Sequence, residues 1–125
     1  MTASRTTALL TGLLSGLIVG IVVVIVAISF AVLIFSGELD RFAPNGIGLA
    51  LYTAAVMAGL IALTSSFRGM VATPQDVPAA ITALIAAAVV AALPTDTSRP
   101  EVLATVIAAI AMTTLATGLF FLVLG

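Results

Sequence analysis

The sequence predicts an all-α integral membrane protein with four transmembrane segments, the third being a short extended stretch followed by a half-helix. Of its 125 residues, 62% are hydrophobic and 7% are charged, whereas a soluble domain has about 25% charged residues. So little polar surface requires lipid or other protein as the surroundings. Two prolines, a glutamine and an aspartate crowded into 73–78 predict the break in the third segment.

Polar stretches divide the chain into apolar segments at about 8–35, 47–63, 70–93 and 102–124, which we group as one membrane domain over residues 1–125. The first and fourth exceed the roughly 20 residues that cross a bilayer, and the second is near the lower limit of about 17. The first is far longer than the roughly 7–15 apolar residues of a signal-peptide core. We therefore predict that it is a retained transmembrane helix.

The third segment is continuously apolar only over 78–93, and as a helix this run would reach roughly 24 Å, less than the hydrocarbon core of about 30 Å. Pro74 and Pro78 oppose a continuous helix because proline lacks the N–H donor, although Pro78 suits a first turn. We predict extended backbone and then helix, so that a structure with continuous α-helix over 70–93 would reject the prediction.

The other segments carry ordinary helix signals. The Pro44-Asn45-Gly46 turn is predicted to precede the second helix, and Ser98 and Glu101 have the spacing of a capping box before the fourth. Small residues four apart are predicted to face other helices, because they let backbones approach closely in lipid. These stripes are Gly12, Gly16 and Gly20 on the first helix, and Ala79, Ala83, Ala87 and Ala91 on the third.

The composition excludes several classes of function. The chain has neither Cys nor His, which removes thiol nucleophiles, imidazole acid–base catalysis and the usual zinc or haem ligands. Its four arginines are dispersed and form no basic patch for nucleic acid. We expect neither an enzyme nor a metal site.

Asp76 has two interpretations from the residues alone. An aspartate close to the membrane interior is costly, so by default it faces a cavity or a protein partner. In secondary transporters, broken helices present their first N–H groups to anions, and a helix starting at 76–78 would do the same. The alternative is an interfacial loop in which Asp76 or Thr73 only caps a short helix.

Two further stretches are GLIVGIVVVIVAISFAVLIFSG at 16–37 and SSFRGMVATPQDVPAAITALIAA at 65–87. They resemble the first and third helices of the SulP family, the sulfate-permease-like anion transporters. At the break, the family has Ser/Ala-Gly-Pro; here Pro74 matches and Thr73 replaces the glycine. On the first helix the family often has Pro-Gln, where this chain has Ile25-Val26.

The resemblance implies a seven-plus-seven inverted repeat in which the third and tenth segments are each a strand and a half-helix whose N-terminus holds an anion. The implied substrate-binding residues are Phe30, Gln75, Asp76 and Val77, and the implied substrate is sulfate, bicarbonate or a similar inorganic or carboxylate anion. The chain would be the first four segments of an incomplete transporter domain. Asp76 would bind a coupling proton or sodium ion in symport, or else cap the N–H of Ala79 or Ala80.

Two alternatives stay open. One is a small structural or accessory membrane subunit; the other is a small multidrug exporter, which would need a glutamate that 8–35 lacks. The expected partners are an inorganic anion, the lipid bilayer, and further transporter segments or another membrane subunit, with a homodimer as one assembly. The expected location is a bacterial inner membrane with a cytoplasmic N-terminus, although the arginines divide two and two between its sides.

Overall fold

The computed structural model of this chain describes residues 2–67 and 73–125, with side chains from residue 6 onward. Four α-helices fill most of that range, which contains no β-strand. They are α1 (Thr2–Ile34), α2 (Ala43–Thr64), α3 (Asp76–Ala92) and α4 (Arg99–Leu124), and a 3-10 helix (Gly37–Phe42) lies between α1 and α2. The predicted all-α class with four helical segments is confirmed.

Three of the helical stretches are long and apolar enough to cross a membrane: Thr6–Ile34, Gly37–Thr64 and Arg99–Leu124. The fourth, α3, has 17 residues and is about 26 Å long, shorter than the hydrocarbon core. Large apolar side chains cover the outside of the helices, and many, such as Leu13 and Leu63, are more than two-thirds exposed. Such a surface requires lipid or protein around it, as in an integral membrane protein.

The third segment begins where the prolines predict. Thr73, Pro74 and Gln75 are not helical, and Gln75 has extended backbone with φ −110° and ψ 143°. The helix starts at Asp76, which places Pro78 in its first turn, where no N–H donor is needed. The predicted discontinuity is confirmed at 73–75; residues 70–72 lie outside the described part of the chain.

The principal helix contacts follow the order α2, α1, α3, α4, because α1 packs against both α2 and α3, and α3 also packs against α4. The buried core lies at one end of this arrangement, where α1 ends and α4 begins. Its side chains are Phe35, Leu39, Ala86, Val102 and Val106. Burial of Leu39 explains why the polar stretch after α1 forms a 3-10 helix that folds onto the core.

The two predicted helix starts have different outcomes. The capping box before α4 is confirmed, since Glu101 Oε2 accepts hydrogen bonds from the Ser98 N–H at 3.2 Å and the Ser98 hydroxyl at 2.7 Å. The predicted turn at Pro44-Asn45-Gly46 is wrong, because α2 already begins at Ala43 and includes these residues. Proline fits the first turn of a helix as well as it fits a turn before one.

The glycine stripe faces no other helix within the described part of the chain. A Cβ atom added at Gly12, Gly16 or Gly20 would have no other atom within 4 Å beyond its own helix turn and chain neighbours. This corrects the predicted packing role within the chain. The physical reason is that the other described helices pack against the C-terminal part of α1, where Ala27, Ala31 and Phe35 are buried.

The alanine stripe is predicted with the wrong phase. Ala79 and Ala86 are buried and Ala83 is half-buried, but Ala87 and Ala91 are exposed. Seven residues make nearly two full turns of an α-helix, whereas repeated steps of four drift steadily around it. The packed face of α3 therefore passes from Ala79 to Ala86 and not to Ala87.

Candidate binding cavity

A cavity of about 410 Å³ lies between α1, α2 and the start of α3. Its walls are mainly apolar, with Phe30 and Ile34 from α1, Leu49 and Met57 from α2, and Ile110 from α4. Of the described residues that line it, none is charged and only four are polar. These are Thr53, Thr73, Gln75 and Thr82.

The entry to α3 forms one wall because of helical periodicity. Gln75, Pro78, Ala79 and Thr82 all line the cavity, and their spacing of three, four and seven residues places them on one face of the chain as it enters the helix. Asp76 and Val77 lie outside this set and are exposed. The structure thus brings Phe30 and Gln75 together at the cavity and directs the side chains of Asp76 and Val77 elsewhere.

The first turn of α3 has unused donors. The Ala79 N–H donates to the Gln75 carbonyl at 3.2 Å, and Pro78 has no N–H. The N–H groups of Asp76 and Val77 have no acceptor among the described residues, and the Gln75 side chain does not cap the helix. The N-terminal end of a helix with uncapped donors attracts negative charge.

Asp76 does not cap the helix. The Ala79 N–H, one of the two donors expected to meet the carboxylate, bonds to Gln75 instead. No hydrogen bond or ion pair of the Asp76 side chain is found within 2–67 and 73–125, and the side chain is exposed. The predicted capping role is therefore wrong, while the role of Asp76 toward a coupling ion stays a prediction.

A second cavity, of about 450 Å³, lies on the other side of α3 against the second half of α4. Pro78 and Thr82 of α3 and Ile110 of α4 line both cavities. The second cavity reaches Phe121 near the end of α4, so the first turn of α3 lies beside the second half of that helix. The start of α3 therefore lies alongside a helix that is long and apolar enough to cross a membrane.

The α2 wall of the cavity was missed by sequence reasoning. Leu49, Thr53 and Met57 recur at intervals of four along it. The one polar member, Thr53, donates its hydroxyl proton to the Leu49 carbonyl at 2.8 Å, as threonines in apolar helices commonly do. A helix that is apolar on every face gives no sign of which side is packed, so the sequence held no usable signal.

The described residues contain no group of three or more His, Cys, Asp or Glu side chains that could hold a metal ion. Comparison with protein-family models, with curated proteins and with solved structures finds no match to this chain. The resemblance to the SulP family therefore stays a hypothesis that rests on the two sequence stretches quoted above.

Proposed function

We propose that this chain is the N-terminal part of the transport domain of a SulP-like secondary anion transporter. The observation that carries the proposal is the break at 73–75, which leaves the uncapped start of α3 beside a cavity that Phe30 and Gln75 line. Helix N-termini at membrane depth are the sites where several transporter folds hold anionic groups. The substrate would be sulfate, bicarbonate or a similar inorganic or carboxylate anion.

The electrostatics of the cavity favour an anion over a cation. The described lining carries no charge that would repel an anion, and the positive end of the α3 dipole lies at its edge. Apolar walls screen charge less than bulk water does, which strengthens the attraction between the helix end and a bound anion. The N–H groups of Asp76 and Val77 and the side chain of Gln75 would donate to it.

The remaining features of the proposal follow from the same resemblance. The four helices would be the first segments of a seven-plus-seven inverted repeat, and the partner of α3 would be a second half-helix from the tenth segment. The protein would lie in a bacterial inner membrane with its N-terminus in the cytoplasm. A bound anion would then be shared between two helix N-termini, each contributing partial positive charge.

The direct test is uptake of labelled anions by proteoliposomes. The chain alone and the chain joined to the protein sequence encoded after Gly125 are compared for uptake of sulfate, bicarbonate and small carboxylates. We expect no uptake by the chain alone and saturable uptake of at least one anion by the longer protein. If the reading frame continues into further hydrophobic segments and the longer protein moves none of these anions, the proposal is wrong.

Asp76 is proposed as the site of the coupling proton or sodium ion. A carboxylate in the first turn is favoured by the helix dipole by about 0.3–1 kcal/mol, yet its charge repels an incoming anion. Binding of a cation to Asp76 would remove that repulsion, so that anion and cation enter together. In the complete transporter, we expect Asp76→Asn to retain uptake but lose its dependence on proton or sodium gradients. Full gradient dependence in that variant would exclude Asp76 as the coupling site.

The exposed glycine stripe favours a second candidate, a structural or accessory membrane subunit. Gly12, Gly16 and Gly20 present backbone that no other described helix covers, and such surfaces pack closely against partner helices in lipid. In that case 73–75 would be an incidental break. A reading frame that ends without further hydrophobic segments, together with purification in a stable complex with a larger membrane protein, would favour this candidate over the transporter.

A further inference from the structure

The polar groups of the first cavity are divided into those that can donate a hydrogen bond and those that cannot. The hydroxyl protons of Thr53 and Thr82 are already donated to the carbonyls of Leu49 and Pro78, at 2.8 and 2.7 Å. Their oxygens therefore present only lone pairs, which do not stabilise an anion. The side chains of Thr73 and Gln75 make no hydrogen bond within the described residues, so their protons remain available.

These available donors are only two residues apart in the chain, so they lie at one edge of the cavity. The rest of the wall is hydrocarbon or aromatic, including Phe30, Ile34 and Met57. An anion with charge on every side, such as sulfate, would lose its water against these walls without replacement hydrogen bonds, which is costly. A carboxylate places its charge at one end and leaves the rest of the molecule apolar.

We propose that the cavity binds a small carboxylate with an apolar body, such as an aryl carboxylate, in preference to sulfate or bicarbonate. This rests on the proposed function and narrows its substrate class. The carboxylate lies at the edge formed by Thr73 and Gln75, and the apolar body lies against Phe30 and the α2 wall. The volume of about 410 Å³ falls within the range of roughly 300–1,000 Å³ that small-molecule sites have.

Binding is tested on the intact chain in lipid nanodiscs, with labelled benzoate and labelled sulfate as probes and empty nanodiscs as the blank. We expect benzoate to bind about tenfold or more tightly than sulfate, because only benzoate buries an apolar ring. Unlabelled benzamide has the same ring without the charge and should compete poorly. Equal binding of benzoate and sulfate, equal competition by benzamide, or equal benzoate retention by empty nanodiscs would each overturn the proposal.

Matched variants locate the site. Ala50 lines the cavity and is half-buried, whereas Ala55 of the same helix is exposed and lies outside the lining. Ala50→Leu should weaken benzoate binding about tenfold by filling the space for the ring, and Ala55→Leu should leave it unchanged. Identical effects of the two variants would place benzoate elsewhere.

A third variant keeps the proposal testable if Ala50→Leu does not fold. Thr73 is exposed, so Thr73→Val removes one hydroxyl donor with little change in shape. It should weaken benzoate binding several-fold and leave the weak competition by benzamide unchanged; unaltered benzoate binding would count against the assigned edge.

The binding and uptake experiments together distinguish a wrong ligand class from a wrong transport function. Sulfate uptake by the longer protein without selective benzoate binding would sustain the transporter and overturn the carboxylate preference. Selective benzoate binding without uptake of any anion would sustain the cavity's ligand class and overturn transport. Absence of binding by every probe overturns the inference.

Discussion

Replacing Gly46 with leucine is expected to cause a large loss of stability. Gly46 is buried in the first turn of α2, and an added Cβ would lie 2.8 Å from Cγ of Phe35, closer than such atoms can approach. Phe35 itself is 4% exposed and belongs to the core with Leu39 and Val106. Because the ring must give up its core contacts to make room, the overpacking should cost about 1–3 kcal/mol or more.

The measurement is the midpoint of unfolding in detergent, followed by circular dichroism. Gly48→Leu is the matched control, since a Cβ at Gly48 would meet nothing within 4 Å in the same helix. Both variants gain the same helix propensity, so the difference between their midpoints isolates the contact with Phe35. Equal midpoints would show that the ring and α2 can separate at little cost.

A double-mutant cycle strengthens this test. Phe35→Ala alone should lower the midpoint because it leaves a cavity in the core. In the Phe35→Ala background, Gly46→Leu should cost much less than in the natural chain, since the added side chain then enters the vacated space. Additive losses would mean that the two positions do not interact.

The helices could be predicted because their causes are local. Long apolar runs predict helices in a membrane, and Pro74 and Pro78 predict where α3 starts because they remove specific N–H donors. The capping box at Ser98 and Glu101 is also local, since both partners lie within one turn. In each case the residues that decide the structure are close together in the chain.

The 3-10 helix Gly37–Phe42 has a different cause. Its charged residues indicate a simple polar connection, but Leu39 is 1% exposed against residues from α3 and α4. Gly37 starts it with φ +66°, which side chains other than glycine rarely adopt. The segment folds this way because of contacts with distant helices, which a local pattern does not contain.

The packed faces of the helices could be predicted only in part. Spacing of small residues identified α3 as a packed helix but gave the wrong phase after Ala83, because the step of four drifts from the true turn. The glycines of α1 predict close packing against another helix, but they do not indicate which helix that is. Lipid removes the polar face that would mark the outside of a helix in a soluble protein.

The residues of the candidate site could also be predicted only in part. Phe30 and Gln75 came from the resemblance and line one cavity. Val77 came from the same resemblance, and Asp76 also from the cost of an aspartate near the membrane interior, but neither side chain lines that cavity. Consecutive residues of a helix point in different directions, about 100° apart. At the start of a helix, the free N–H groups therefore point in one direction along the axis, whereas the side chains point in several directions around it.

Gln75→Glu is expected to cause the largest loss of anion binding. Gln75 lines the cavity, and its replacement converts a donor into a second negative charge close to the bound anion. At about 5 Å and an effective dielectric constant of about 20, two like charges repel by roughly 3 kcal/mol, which corresponds to a loss of about a hundredfold or more in affinity. Binding of labelled benzoate and sulfate in nanodiscs measures the effect on both classes of anion.

Two companion variants separate charge from shape. Gln75→Met keeps the length of the side chain but removes its amide, so it should weaken anion binding by only several-fold, as expected for one lost hydrogen bond. Ser66→Glu adds the same charge at an exposed residue just beyond α2 that lines neither cavity, and it should change binding little. If Ser66→Glu reduces binding as much as Gln75→Glu, net charge and not the cavity governs the affinity. If Gln75→Glu binds both anions normally, no anion occupies the cavity, because no bound anion in that space could avoid the added carboxylate.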